Sequence, residues 1–304
     1  MKSLSALEDR PGGKTVVITD SGLGGLLICA GLESRLRGAT GGPVRLVYVN
    51  AWPDAGHGYN DLPDIRARAA VFDRALAAMA RLEPSLILIA CNTLSVIYEA
   101  TAFRRAPAVP VTGILEEGAD LFFEALTRDQ EAVLALFGTR TTIGSGEHIR
   151  RLGERGIDPR RVVAEPCHGL AAAIDKDPDS PAVPGLIDAC VLRSAAKLPV
   201  HAPLYAGLAC THYAYVAEAF RESLRWRTGA NAEILDPGAR LVEGLVRGMT
   251  ARTVEEREAR IAVEVISKIE LPEDQRKAVS RRIEPLSPAT AKALLAYRRV
   301  PELF

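Results

Sequence analysis

The sequence is short of the features that mark several large protein classes. No apolar run approaches the roughly 20 residues that a membrane-spanning helix needs. The first ten residues, Met1 to Arg10, lack the apolar stretch of a secretory leader. Neither sign of charge is in excess, with 38 basic and 38 acidic side chains, so the positive field of a nucleic-acid binder is missing. Cysteine is sparse and odd in number: Cys29, Cys91, Cys167, Cys190 and Cys210, with no Cys-x-x-Cys among them. That argues against a disulfide framework, a zinc ribbon and a thioredoxin-type redox pair. These absences point to a cytoplasmic protein with neither nucleic acid nor membrane as a partner.

What is present is ordinary globular material, 48% hydrophobic and 25% charged, in a chain of 304 residues that exceeds one typical domain. Apolar runs alternate with helix-like segments. Val16 to Ile18, Val44 to Val49, Ser85 to Ala90, Ala132 to Phe137, Val162 to Ala164 and Ala202 to Ala206 read as strands. Helices are expected from about Leu26, over Asp64 to Arg81 and over Ser145 to Arg155. Such alternation means an α/β fold with mostly parallel sheets. A weak internal repeat supports two similar lobes. Ala90-Cys91-Asn92-Thr93 is followed by Glu99-Ala100, and Ala209-Cys210-Thr211-His212 by Glu218-Ala219 at the same spacing. The tail beyond about Arg252 differs, with a Glu255-Glu256-Arg257-Glu258 cluster. Ile261, Val265 and Ile269 lie four apart, which reads as an amphipathic helix. This tail could pack on the body, on a second copy in a homodimer, or stand as a solvated helical appendage, the last being the plain reading.

Ligands of parallel sheets bind at the C-terminal ends of strands. Three polar clusters fall there: Asp20-Ser21-Gly22, Cys91-Asn92-Thr93 and Cys210-Thr211-His212. Each cluster alone is explained by helix capping, and a free cysteine is usually a small buried hydrophobe. Two clusters that both carry cysteine suit a particular chemistry. Inverting an amino-acid α-carbon removes a proton from one face and returns one to the other. A thiol, ordinarily titrating near pH ~8.5, can serve as base or as acid. The developing carbanion needs fixed donors on its carboxylate, for which Ser21, Asn92, Thr93 and Thr211 are candidates. Asp20 is then the candidate partner of one thiol and His212 of the other.

These blocks resemble the glutamate racemase family. Asp20-Ser21-Gly22-Leu23-Gly24-Gly25-Leu26, Cys91-Asn92-Thr93-Leu94-Ser95 and Cys210-Thr211-His212-Tyr213 are similar to its three signature blocks, in order and spacing. Gly138-Thr139-Arg140-Thr141-Thr142 with Ser145, and Pro166-Cys167-His168 with Asp175, resemble two others, so the likeness covers about residues 14 to 252. It implies two α/β lobes facing across a central cleft: 14–112 with 237–252, then 113–236, leaving 253–304 as a helical C-terminal extension. It also implies racemisation of an amino acid without pyridoxal phosphate or another cofactor, and without a metal. Such an activity would supply a D-amino acid for cell-wall peptidoglycan synthesis. By the same resemblance Cys91 and Cys210 are the acid and base, with Asp20 and His212 as partners. Ser21, Asn92, Thr93, Thr142, Thr211 and Gly58 match substrate-contacting positions.

The chain also departs from that pattern. Gly56-His57-Gly58 stands where the family has Pro-Tyr-Gly, and a small shift would use Tyr59 instead. Asp175 stands where the family has a glutamate, His148 where a tyrosine is frequent, and Ala214 where a proline follows the second cysteine block. Alternatives are therefore a racemase of another amino acid such as aspartate, or a binding or regulatory protein on the same scaffold. Gly22-x-Gly24-x-x-Leu27 lacks the third glycine of a dinucleotide fingerprint, and Cys210 with His212 has no second ligand pair nearby for a metal. Cys29 and Cys190 read as core, Trp52 and Trp226 as packing, and His57 and His201 as structural or solvated.

Overall fold

The computed structural model describes residues 13–37, 42–199, 202–250 and 260–304. The Glu255 to Glu258 cluster, His201 and the first ten residues lie outside the described residues.

Among the described residues, ten strands form two wholly parallel sheets. In chain order the first four are β1 (Lys14–Asp20), β2 (Val44–Asn50), β3 (Leu86–Ile89) and β4 (Val111–Gly113). The next four are β5 (Val133–Gly138), β6 (Val162–Pro166), β7 (Leu204–Ala209) and β8 (Glu233–Leu235). The last two, β9 (Ile261–Ser267) and β10 (Arg298–Arg299), come from the tail. β1 is apolar at successive positions because both faces of its sheet are covered. Val16, Val17 and Ile18 are all buried. Between strands, helices begin where the sequence supplies a cap: Asp64 accepts from the Ala67 amide at 2.8 Å and opens the helix Ile65–Ala80.

The larger sheet runs β10-β9-β2-β1-β3-β4 and the smaller β6-β5-β7-β8. Without β9 and β10, the two have the same order, second-first-third-fourth, which is the structural content of the internal repeat. In each sheet the connections diverge between the first and third strands, so each has its topological switch point there. Cys91 follows β3 and Cys210 follows β7, the corresponding strands of the two lobes.

The tail is more than a helical appendage. Helices Glu273–Ile283 and Pro288–Leu295 are present, but the segment read as an amphipathic helix is the strand β9, paired with β2 along its whole length. The cause is arithmetic: a spacing of four is two periods of a strand as well as about one turn of a helix. The β-branched run Ile261, Val263, Val265 and Ile266 decides for the strand. The tail is tied down further on. Ser287 caps the helix Pro288–Leu295, accepting from Thr290 N at 3.1 Å, and its hydroxyl donates to buried Glu33 at 2.7 Å.

Candidate active site

Asp20 ends β1, and the turn Ser21 to Gly25 leads into the helix Leu26–Leu36. Gly22 and Gly24 of this turn answer to the opposite lobe. A Cβ at Gly24 would lie 2.7 Å from His212 Nδ1 and 2.8 Å from the His212 amide, and one at Gly22 would lie 2.7 Å from Asp175 Oδ1. No side chain fits while Thr211, His212 and Asp175 press against the turn. Two tyrosines hold it: Tyr48 donates to Gly22 O at 2.6 Å and Tyr215, from the second lobe, to Leu23 O at 3.1 Å.

Cys91 leaves β3 and precedes the helix Asn92–Tyr98. Its sulfur lies 3.3 Å from Ser21 Oγ. Burial and the nearby charge of Asp20 push the Cys91 thiol well above the ordinary thiol range. The Ser21 hydroxyl and the amides of Leu94 and Ser21 oppose this without cancelling it. Asp20 is itself fully buried, and burial raises its carboxyl. The charge of His212 and a 2.7 Å hydrogen bond from the Thr211 hydroxyl act in the other direction.

Cys210 leaves β7, with His212 Nδ1 3.7 Å from its sulfur. His212 Nε2 meets Asp175 Oδ1 at 2.7 Å. Burial alone would lower the imidazole, but Asp175 and Cys210 outweigh it, and His212 is raised well above its ordinary value. Asp175 is held in turn: Oδ1 also accepts from the Leu23 amide at 2.7 Å and Oδ2 from Gln275 Nε2 at 2.6 Å.

Both cysteines, one from each sheet, line a single cavity of about 420 Å³, within the range of small-molecule sites. Ser21, Asn92, Thr93, Thr211 and His212 line it with them. Asn92 is buried and neither its amide nitrogen nor its oxygen has a partner among the described residues. An orphaned amide costs about 1–3 kcal/mol unless a ligand takes it up. Thr93 Oγ1 lies 2.9 Å from Thr139 Oγ1 and 3.3 Å from Thr142 Oγ1, a hydroxyl cluster that joins the two lobes. Acid–base groups from both lobes, with amide and hydroxyl donors between them, can take a proton from one face of a small carbon acid and return one to the other.

Seven of the ten residues expected from sequence therefore line one cavity. Asp20 and Thr142 are not in its wall but bond to wall residues, Thr211 and Thr93. Gly58 is set back too: its backbone lies under Trp52, where a Cβ would meet the ring at 2.9 Å. Trp52, read as packing, lines the cavity instead, with Asn60 from the same loop. Tyr59 is buried with its ring edge-on to Phe72. Cys29 and Cys190 are core, as expected, whereas Trp226, read as packing, is 79% exposed. Among the described residues, no group of three His, Cys, Asp or Glu side chains could hold a metal ion, and no helix is long and apolar enough to cross a membrane.

Residues 23–245 match the family described as Asp/Glu/Hydantoin racemase. The chain belongs to this family. Among curated racemases it is similar to the glutamate racemase of Dinoroseobacter shibae, 31% identical over 257 residues, covering 77% of this chain and 84% of that protein. Two solved glutamate racemases share the fold. Isoform RacE1 of Bacillus anthracis has a TM-score of 0.68 at 17% identity, over 90% of this chain and 94% of its own. The Francisella tularensis enzyme, in complex with D-glutamate, has 0.67 at 18%, over 89% and 94%. Several wall residues of this racemase were not singled out from sequence. Thr139 lies within the Gly138 to Thr142 motif, the one sequence signal that marks it. Lys176, Asp274 and Gln275 also line the cavity, and no local motif marks them.

Proposed function

We propose that the chain interconverts L- and D-glutamate by a two-base proton transfer, with Cys91 and Cys210 on opposite faces of the α-carbon. The observation that carries this is the pair of cysteines, one from each lobe, in the wall of one cavity, each beside a titratable partner. Curated relatives at about 30% identity bear the name glutamate racemase, which favours glutamate over aspartate.

Burial and Asp20 keep the proton on Cys91, so Cys91 is the resting acid. A proton leaving Cys210 has a place on His212, whose raised basicity comes from Asp175 and Cys210. Cys210 then takes the α-proton of one enantiomer while Cys91 delivers its own to the opposite face. The electron pair released from the C–H bond is spread over the substrate carboxylate and finally forms the new C–H bond. Ser21, Asn92, Thr93 and Thr211 are the donors and acceptors available to hold that carboxylate, with Thr142 fixing Thr93. After turnover Cys91 is the thiolate and Cys210 the thiol, a state poised for the other enantiomer. Asp20 and His212 relay protons to restore either state. The loop of Gly58 contributes through Trp52 and Asn60, which meet the substrate side chain. On this reading the protein is cytoplasmic, needs no cofactor, acts as a monomer or a homodimer, and supplies D-glutamate to a peptidoglycan-building reaction.

The test is the optical rotation of D- and L-glutamate, and separately of aspartate, with native protein, Cys91→Ala and Cys210→Ala. Loss of racemisation in each single variant is expected. Full racemisation by both would reject the two-thiol chemistry, and native activity on aspartate alone would reject the substrate.

A further inference from the structure

The family match ends at residue 245, yet Pro272, Asp274 and Gln275 line the catalytic cavity. They lie at the start of the helix Glu273–Ile283. This segment reaches across the molecule. The preceding strand β9 is part of the larger sheet, while the helix packs on Leu170–Lys176 of the second lobe. Arg282 donates to Tyr215 O at 3.2 Å and lies 3.4 Å from Asp179.

We infer that Gln275 is a positioning residue for the Cys210 half of the site, holding Asp175 so that Asp175 in turn orients His212. The two oxygens of Asp175 divide the work. Oδ1 takes His212 Nε2 and the Leu23 amide, both at 2.7 Å, and Oδ2 takes the Gln275 amide at 2.6 Å. A carboxylate bound on one oxygen alone can pivot about its own C–C bond, and a donor on the second oxygen stops that motion. Aspartate here is one methylene shorter than the glutamate that the sequence resemblance leads one to expect. The tail supplies a second anchor for this shorter arm. The geometry of the chain Gln275, Asp175, His212, Cys210 then depends on a residue outside the matched family region. This inference rests on the proposed racemase reading for its kinetic part only.

The variant Gln275→Leu keeps the approximate size and removes the donor. Its racemisation kinetics, its unfolding midpoint and the titration of His212, followed by NMR on histidine-labelled protein, are compared with the native chain. The expected result is a fall in kcat of about tenfold with KM changed less than about threefold. The His212 midpoint should drop by about one unit. An unmoved His212 titration would overturn the inference, whether or not the unfolding midpoint changes. So would a rise in KM with kcat unchanged, which would make Gln275 a substrate contact. If the native chain fails to racemise glutamate while the His212 midpoint still drops in the variant, the substrate assignment fails and the positioning role stands.

Discussion

His148 offers a test of how burial is balanced in the second lobe. It sits in the helix Glu147–Glu154, 2% exposed, its ring 5.7 Å from that of Phe122, and neither ring nitrogen has a partner among the described residues. Burial, helped by the charge of Arg151, lowers its pKa from 6.5 to about 4. The folded value is depressed, so the folded state gains nothing from the proton that the unfolded chain takes up. Stability is intact above about pH 6.5 and is lost as pH falls towards 4. At about 1.4 kcal/mol per unit, the loss over that interval is roughly 3 kcal/mol. The variant His148→Phe abolishes this titration. It also removes two unpartnered polar atoms, each worth about 1–3 kcal/mol in the buried state. Urea unfolding of both proteins at pH 8, 6 and 4.5 isolates the group, because every other titration is common to the two. The variant should be at least as stable at pH 8, and its advantage should widen by about 2–3 kcal/mol at pH 4.5, with racemase activity retained. A stability difference that does not change with pH would refute the reasoning.

Three further outcomes follow from the site. Gly24→Ala forces a Cβ against His212 and Thr211, so kcat should fall about a hundredfold in an optical-rotation assay; an active variant would mean that the turn and the second lobe are not pressed together during turnover. Thr93→Val breaks the hydroxyl contacts to Thr139 and Thr142 and should raise KM for glutamate about tenfold, the worth of one hydrogen bond to a charged group; unchanged kinetics would exclude Thr93 from the carboxylate site. Because Cys91 is held protonated by burial and Asp20, its alkylation by iodoacetamide, followed by peptide mapping, should stay slow up to about pH 8.5; fast labelling at neutral pH would contradict that environment.

Much of this was legible in the sequence, and what was not has physical causes. Continuous apolar runs such as Val16 to Ile18 and Leu86 to Ile89 exist because both faces of a parallel sheet are covered, and that reading needs no tertiary knowledge. The repeated Ala-Cys-Asn/Thr blocks pointed to two similar lobes, because each follows the third strand of its own sheet; the shared strand order itself was not legible in the sequence. Strands β4 and β8 have three residues apiece, too few to show a period. The tail misled because Ile261, Val265 and Ile269 satisfy two periodicities at once. Trp52 and Gln275 were hidden for another reason. Each reaches the cavity through the packing of distant segments, and Gln275 bonds to Asp175 across 100 residues of chain. Gly58 has a backbone under the Trp52 ring and not against the cavity wall, a distinction of one side-chain layer that spacing alone does not resolve.

The most direct measurement follows the α-proton of L-glutamate and D-glutamate incubated with native protein in deuterium oxide, sampled early by NMR. With separate sulfur atoms acting on the two faces, deuterium should enter the inverted product from the first turnovers while remaining substrate keeps its proton. Product that retains the original proton, or deuterium arriving equally in substrate and product, would contradict a mechanism of two opposed thiols.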